Sequence, residues 1–208
     1  MKFLKFKLLF TFLILFSNFL LIHSQKILWE KSYGGLNADY LMDAQPTADY
    51  GYILAGSSLS KKSGNKSEDT KGDLDYWIWK MKEDGDLDWQ KSFGGLGSDF
   101  LQSIALTKDG GFILAGTSNS NKGFDKKEDS FGQNDFWIVK LNAKGDEEWQ
   151  NTIGGEWQEE MNKVIQTKDG GYLIGGSSAS NVSGNKDKDT FGGLDYWIIK
   201  LDDKGKIV

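Results

Sequence analysis

The chain has 208 residues, a net charge of −5, no cysteine and a single histidine, and all 25 of its basic residues are lysines. Past His23 there is neither histidine nor cysteine, which excludes Ser-His-Asp and Cys-His nucleophilic chemistry and the usual zinc sites. A negative total without arginine argues against nucleic acid, whose binding rests on cationic contacts to phosphate.

Residues 1–24 read as an export signal. Lys2, Lys5 and Lys7 make a basic start, and residues 8–22 are apolar except for Thr11, Ser17 and Asn18. This is the pattern of a secretory signal peptide, with cleavage expected after Ser24. The run is short for a span of about 20 apolar residues, so no membrane span is expected after cleavage. Removing the signal takes away His23 and three lysines, moving the net charge from −5 to −8. An exported domain without disulfides must then rely on a hydrophobic core.

From residue 27 the chain repeats every 60 residues, in units of about 27–86, 87–146 and 147–208. Trp29, Trp89 and Trp149 head the copies, in Trp89-Gln-Lys-Ser-Phe-Gly-Gly95 and its counterparts. Gly111-Phe-Ile-Leu-Ala-Gly-Thr117 and Asp135-Phe-Trp-Ile-Val-Lys140 recur in the same way. Such a period means one supersecondary unit copied and stacked.

In the reference unit, residues 89–93 predict a short alternating strand and residues 100–107 a second. A glycine turn at Lys108-Asp-Gly-Gly111 leads to a third strand, 112–117. A polar loop follows at 119–134, then a fourth strand at 136–141 and a hairpin turn at Asn142-Ala-Lys-Gly-Asp146. The third and fourth strands are apolar on both faces and need cover on both sides. Four-stranded antiparallel units stacked face to face supply it, so the expected fold is all-β and β-propeller-like. The 112–117 strand is B, 136–141 is C, and the tryptophan strand is the outermost, D.

The motifs Trp-Gln-Lys-Ser-Phe-Gly-Gly, Asp-Gly-Gly-Phe-Ile-Leu-Ala-Gly and Asp-Phe-Trp-Ile-Val-Lys-Leu resemble the roughly 60-residue propeller-type repeats of proteins secreted by Bacteroidetes. The resemblance covers essentially all of the chain after the signal. It implies an exported repeat module associated with type IX secretion, although no sorting domain is found here.

Counting from Trp29 gives a lone D strand, then ABCD, ABCD and ABC, twelve strands or three blades' worth. Propellers close with four to eight blades. Three blades therefore imply an open arc, a truncated piece of a longer chain, or a homodimer closing a six-bladed ring. In that ring the first strand of each chain completes the last blade of the other.

Ligand groups are expected on one rim. It comprises the B–C loops, 59–74, 119–134 and 179–194, and the D–A corners, 34–39, 94–99 and 154–159. The loops carry balanced charge, as solvated linkers do. At the corners Asp39, Asp99 and Glu159 are the rim carboxylates. Trp157, whose counterparts are Asn37 and Gly97, offers an aromatic face for a sugar ring. Asn185, Asp187 and Asp189 alternate like calcium ligands, but Lys127 occupies the matching place in the second unit and no glutamate closes the loop. Asp75, Asp135 and Asp195 precede each C strand, where a carboxylate accepts backbone N–H bonds in a turn.

No cofactor is implied. The sequence is read as a non-catalytic module binding a glycan or a protein at the cell surface. A carboxylate-based glycoside hydrolase is the enzymatic alternative, with a unique acid such as Glu160 as its test.

Overall fold

The computed structural model describes residues 26–208; the expected signal peptide lies outside them. The chain divides into two units, Met1–Ser32 and Tyr33–Val208. In the first, residues 26–32 carry no regular secondary structure. The second is all-β, with eleven strands in three antiparallel sheets, none closed into a barrel.

Sheet one runs in the order β1 (Asp39–Pro46), β2 (Tyr52–Ser58), β3 (Asp75–Met81), β4 (Leu87–Phe93). Sheet two repeats it as β5 (Asp99–Leu106), β6 (Phe112–Ser118), β7 (Asp135–Leu141), β8 (Glu147–Ile153). Sheet three has β9 (Glu159–Gln166), β10 (Tyr172–Ser178) and β11 (Asp195–Leu201). Each sheet is a meander with the A strand at one edge, and we call the sheets blades one to three.

Two expectations are corrected. Trp29 does not lie in a strand, and the described strands number eleven rather than twelve. A D strand exists by pairing with the C strand before it, and no C strand precedes Trp29 among the described residues. The third blade accordingly has three strands, with β11 at its edge.

Local chemistry sets the turns. At the A–B turn the Thr107 N–H donates to Gly111 O at 3.0 Å, and Gly110 adopts φ +83°. At the C–D turn the Asn142 N–H donates to Asp146 O at 2.8 Å, with Gly145 at φ +79°. Glycine accepts these positive angles without the Cβ clash other residues suffer. Every A strand also carries a bulge at the same repeat position, between Leu41 and Asp43, between Leu101 and Ser103, and between Met161 and Lys163.

Stacking follows from the two-sided apolar strands. The trailing face of blade one (Ile53, Tyr76, Ile78, Phe93) packs on the leading face of blade two (Leu101, Ile104, Leu114, Trp137, Val139). Blade two repeats the arrangement on blade three, setting Ile113, Phe136 and Ile138 against Met161, Val164, Ile174 and Ile199. A fully buried side chain of this size contributes about 1.5–3 kcal/mol, so the two seams hold the arc without disulfides.

Polar groups fix the register across the seams. The Leu101 N–H donates to Ser57 Oγ and the Met161 N–H to Thr117 Oγ1, both at 2.9 Å. At the bulges Asp43 Oδ2 accepts the Ile104 N–H at 3.1 Å and Ser103 Oγ accepts the Val164 N–H at 3.4 Å. Lys163 reaches back over blade two to Asp43 Oδ2 at 2.9 Å, joining the first and third A strands.

Candidate binding rim

The D–A corners and B–C loops do share one rim, and backbone bonds tie them together. The Asn65, Asp125 and Asn185 N–H groups donate to Gly34, Gly94 and Gly154 O at 2.9, 3.2 and 2.8 Å. The loops are not the solvated linkers that their charge suggests. Each makes the same small bridge, Ser63 with Lys66, Gly123 with Lys126 and Ser183 with Lys186, and each buries that lysine. Lys126 Nζ donates to Thr152 Oγ1 at 2.6 Å and lies 6.0 Å from the Trp137 ring centroid. Burial draws its ammonium below the ordinary lysine value, against the pull of Asp99 and Asp135.

The rim carboxylates turn inward. Asp99 and Glu159 are fully buried and Asp39 half-buried. Asp99 Oδ2 accepts the Gly95 N–H at 2.7 Å and Ser120 Oγ at 2.9 Å, while Oδ1 accepts Ser118 Oγ at 2.5 Å. Glu159 makes the same bonds with Gly155, Ser178 and Ser180, and Asp39 makes them with Gly35, Ser58 and Ser60. These three acids clamp the corner to the start of the B–C loop. Burial pushes the Asp99 carboxyl above its ordinary value despite those bonds.

The acids before the C strands are turn acceptors, as their position suggests. Asp75, Asp135 and Asp195 take the N–H groups of Lys71, Phe131 and Phe191 at 2.7, 2.8 and 2.5 Å. The second oxygen of Asp75 and of Asp135 is buried without a hydrogen-bond partner. A side chain at Gly94 or Gly154 would collide with it. Burial raises both carboxyls above the usual range.

The structure does not bring the calcium candidates together. Asn185 Oδ1 accepts the Gly154 N–H at 3.1 Å, and Asp189 Oδ1 accepts the Val182 N–H at 3.0 Å inside its own loop. Asp187, between them, is exposed. Asp69 and Asp129 make the Asp189 bond in the other blades, so the alternation belongs to the repeated loop. Among the described residues no group of three or more His, Asp or Glu side chains is placed to hold a metal ion.

Trp157 is different. It stands on the blade-three corner, 52% exposed, with its backbone N–H held by Ser180 Oγ at 2.9 Å and its indole N–H donating to Glu156 Oε1 at 3.2 Å. In blade one the matching place, Asn37, lines an open recess of about 730 Å³ between corner and loop, with Leu36, Lys61, Lys62 and Asp73 around it. A broader groove of about 700 Å³ lies between blades two and three, over Phe131, Ile153 and Ile207, with Glu128, Asn185 and Lys204 at its walls.

No family model matches this chain. Over 154 residues, 71% of its length, it is 27% identical to the regulatory protein FlaEY of Caulobacter vibrioides, and it spans 16% of that protein.

Sequence reasoning missed the buried loop lysines and the serines that bind the corner acids. Their signal was present in the repeat, at Ser60, Ser120 and Ser180 and at Lys66, Lys126 and Lys186. Both residue types are ordinarily exposed, and the loop's balanced charge masked them.

Proposed function

We propose that this chain is a non-catalytic β-propeller-type repeat module, exported by its N-terminal signal, that binds glycan at the cell surface through the rim of blade three. The observation that carries the reading is Trp157, a half-exposed aromatic that departs from the repeat at a position fixed by the backbone. An indole held by Glu156 presents a flat apolar face beside a carboxylate, a combination that stacks on a sugar ring and accepts its hydroxyls. The repeated acids at the corners are engaged with backbone and serine donors, which favours binding over hydrolysis. The regulatory name of the Caulobacter relative is in keeping with a role other than catalysis.

The test is a panel of soluble polysaccharides, scored for retention of the protein and for release of reducing ends. Retention without release is the expected result. Release that is abolished by Glu160→Gln would replace the reading with a carboxylate glycosidase.

A further inference from the structure

The two ends of the blade stack carry complementary halves of the seams already described. On the trailing face of blade three, Tyr196 is 92% exposed and Ile198 60%. Their counterparts Tyr76, Ile78, Phe136 and Ile138 are fully buried under the next blade. Phe191 is fully exposed, whereas its counterpart Phe131 lies against Gly184 of the following blade. On the leading face of blade one, Leu41 is 62% exposed, while Leu101 and Met161 in its place are 0% and 1%. A recess of about 380 Å³, lined by Ile165, Leu173, Tyr196 and Ile198, is open where such a leucine packs.

The outer edge of β11 is equally specific. Ile207 bridges Leu201, and the Val208 N–H donates to Lys200 O at 3.1 Å. Leu87 opens β4 at the same repeat position, against Met81. Ile207 and Val208 therefore fill the first places of a D strand. The ladder of blade one then pairs Lys80 with Trp89, Ile78 with Lys91 and Tyr76 with Phe93. Shifted by the repeat, the places still open on β11 call for Trp29 opposite Lys200, Lys31 opposite Ile198 and Tyr33 opposite Tyr196. In blades one and two, the Trp77 and Trp137 indole N–H groups donate to Gln90 and Gln150. Glu30 stands in that position of the repeat and offers Trp197 the same acceptor.

We propose that a second copy of this chain completes blade three, laying its residues 29–33 along β11 and its blade one on the open face, so that two copies close a six-bladed ring. The seam's hydrogen bonds favour this chain's own first blade over a generic fourth one. Ser177 stands where Ser57 and Thr117 accept an A-strand N–H, and Leu41 supplies the donor. One residue past the bulge, Ile104 and Val164 give their N–H to Asp43 and Ser103 of the preceding blade. Lys163, next in that series, has an ammonium and cannot accept. Ala44 does not need it to, because its N–H already donates to its own Asp43 Oδ1 at 2.9 Å. Head-to-tail contacts of this kind form a ring when the rotation closes and a filament when it does not, and six blades lie within the range of closed propellers.

The chain has no native cysteine, so single-cysteine variants of the full chain report the register directly. Facing residues of antiparallel strands have Cα atoms about 4.5–5.5 Å apart, within disulfide reach. Ile198→Cys mixed with Lys31→Cys and oxidised is expected to give a linked pair of twice the chain mass. Neither variant alone, nor Ile198→Cys mixed with Asp84→Cys, gives it to a comparable extent. Sedimentation of the unmodified chain is expected to show a discrete dimer that Ile198→Asp, altering an exposed side chain, converts to a folded monomer. A monomer at every concentration, open-ended growth, or linking independent of cysteine position overturns the proposal.

Discussion

Ile78, Ile138 and Ile198 occupy one place in three copies of the repeat, and they differ in what lies beyond them. Ile138 is fully buried on β7 under Met161 and Val164 of the next blade. Ile198 is 60% exposed on β11. Truncation to alanine removes about three methylene equivalents, worth about 2.4 kcal/mol when wholly buried at about 0.8 kcal/mol each. The unrelaxed cavity at Ile138 brings the total into the range of about 2–5 kcal/mol. At Ile198 about two-fifths of that transfer applies and water fills the space, so the cost falls to about 1 kcal/mol. Urea unfolding of Ile138→Ala and Ile198→Ala, at a concentration where sedimentation shows monomer, measures both. Equal losses in the monomer, or a loss at Ile138 below about 1 kcal/mol, would refute the seam as the source of stability. At concentrations where the proposed ring forms, the two losses should converge.

The opposite rim gives a pH prediction. Lys80 and Lys140 are buried, with Nζ 2.7 Å from Asp49 and 2.9 Å from Asp109. Hydrogen bonds from Lys80 and Thr47 hold Asp49 at about 2. Burial pushes Asp109 up, but bonds from Thr107, Lys140 and Gly111 outweigh it and hold that carboxyl at about 2 as well. Both folded values lie below the unfolded one, so this stabilisation is present above about pH 4 and lost as pH falls toward 2. Lys140→Met should flatten that part of the acid unfolding curve and return Asp109 toward its ordinary titration by NMR. Asp99→Ala strips the acceptor from Gly95, Ser118 and Ser120 and should cost about 1–3 kcal/mol in chemical denaturation. Asp99→Glu should cost less, since Glu159 makes the same clamp in blade three. Gly145→Ala places a Cβ 2.8 Å from the Trp89 ring at φ +79°, whereas Gly110→Ala at φ +83° meets nothing within 4 Å. Thermal unfolding should therefore show a clearly larger loss at Gly145, with Gly110 paying the backbone term alone.

Much of the fold was legible because the repeat registers the same residue types against the same neighbours. Strands B and C were visible as runs apolar on both faces, and the turns were visible from their glycines. The bulges at Met42, Gln102 and Asn162 were not, since an inserted residue in an A strand leaves no compositional mark. Trp29 shows the limit of reading by homology between copies. It has the D-strand sequence, but pairing is a property of the neighbour and no C strand precedes it. The same limit applies to the site. Asp39, Asp99 and Glu159 carry ligand-type side chains on the correct rim, and only the serine donors beside them reveal that they face inward. Trp157 could be singled out because it breaks the pattern, and the structure places it half-exposed.

The account's central claim is that the repeated acids hold the rim together while the non-repeated aromatic does the binding. Affinity chromatography on the retained polysaccharide, run with Trp157→Ala and Glu159→Asp beside the unmodified chain, tests it most directly. The account predicts that Trp157→Ala unfolds like the parent and is no longer retained, whereas Glu159→Asp, which restores the Asp99 geometry, is retained as before. Full retention of Trp157→Ala would contradict it.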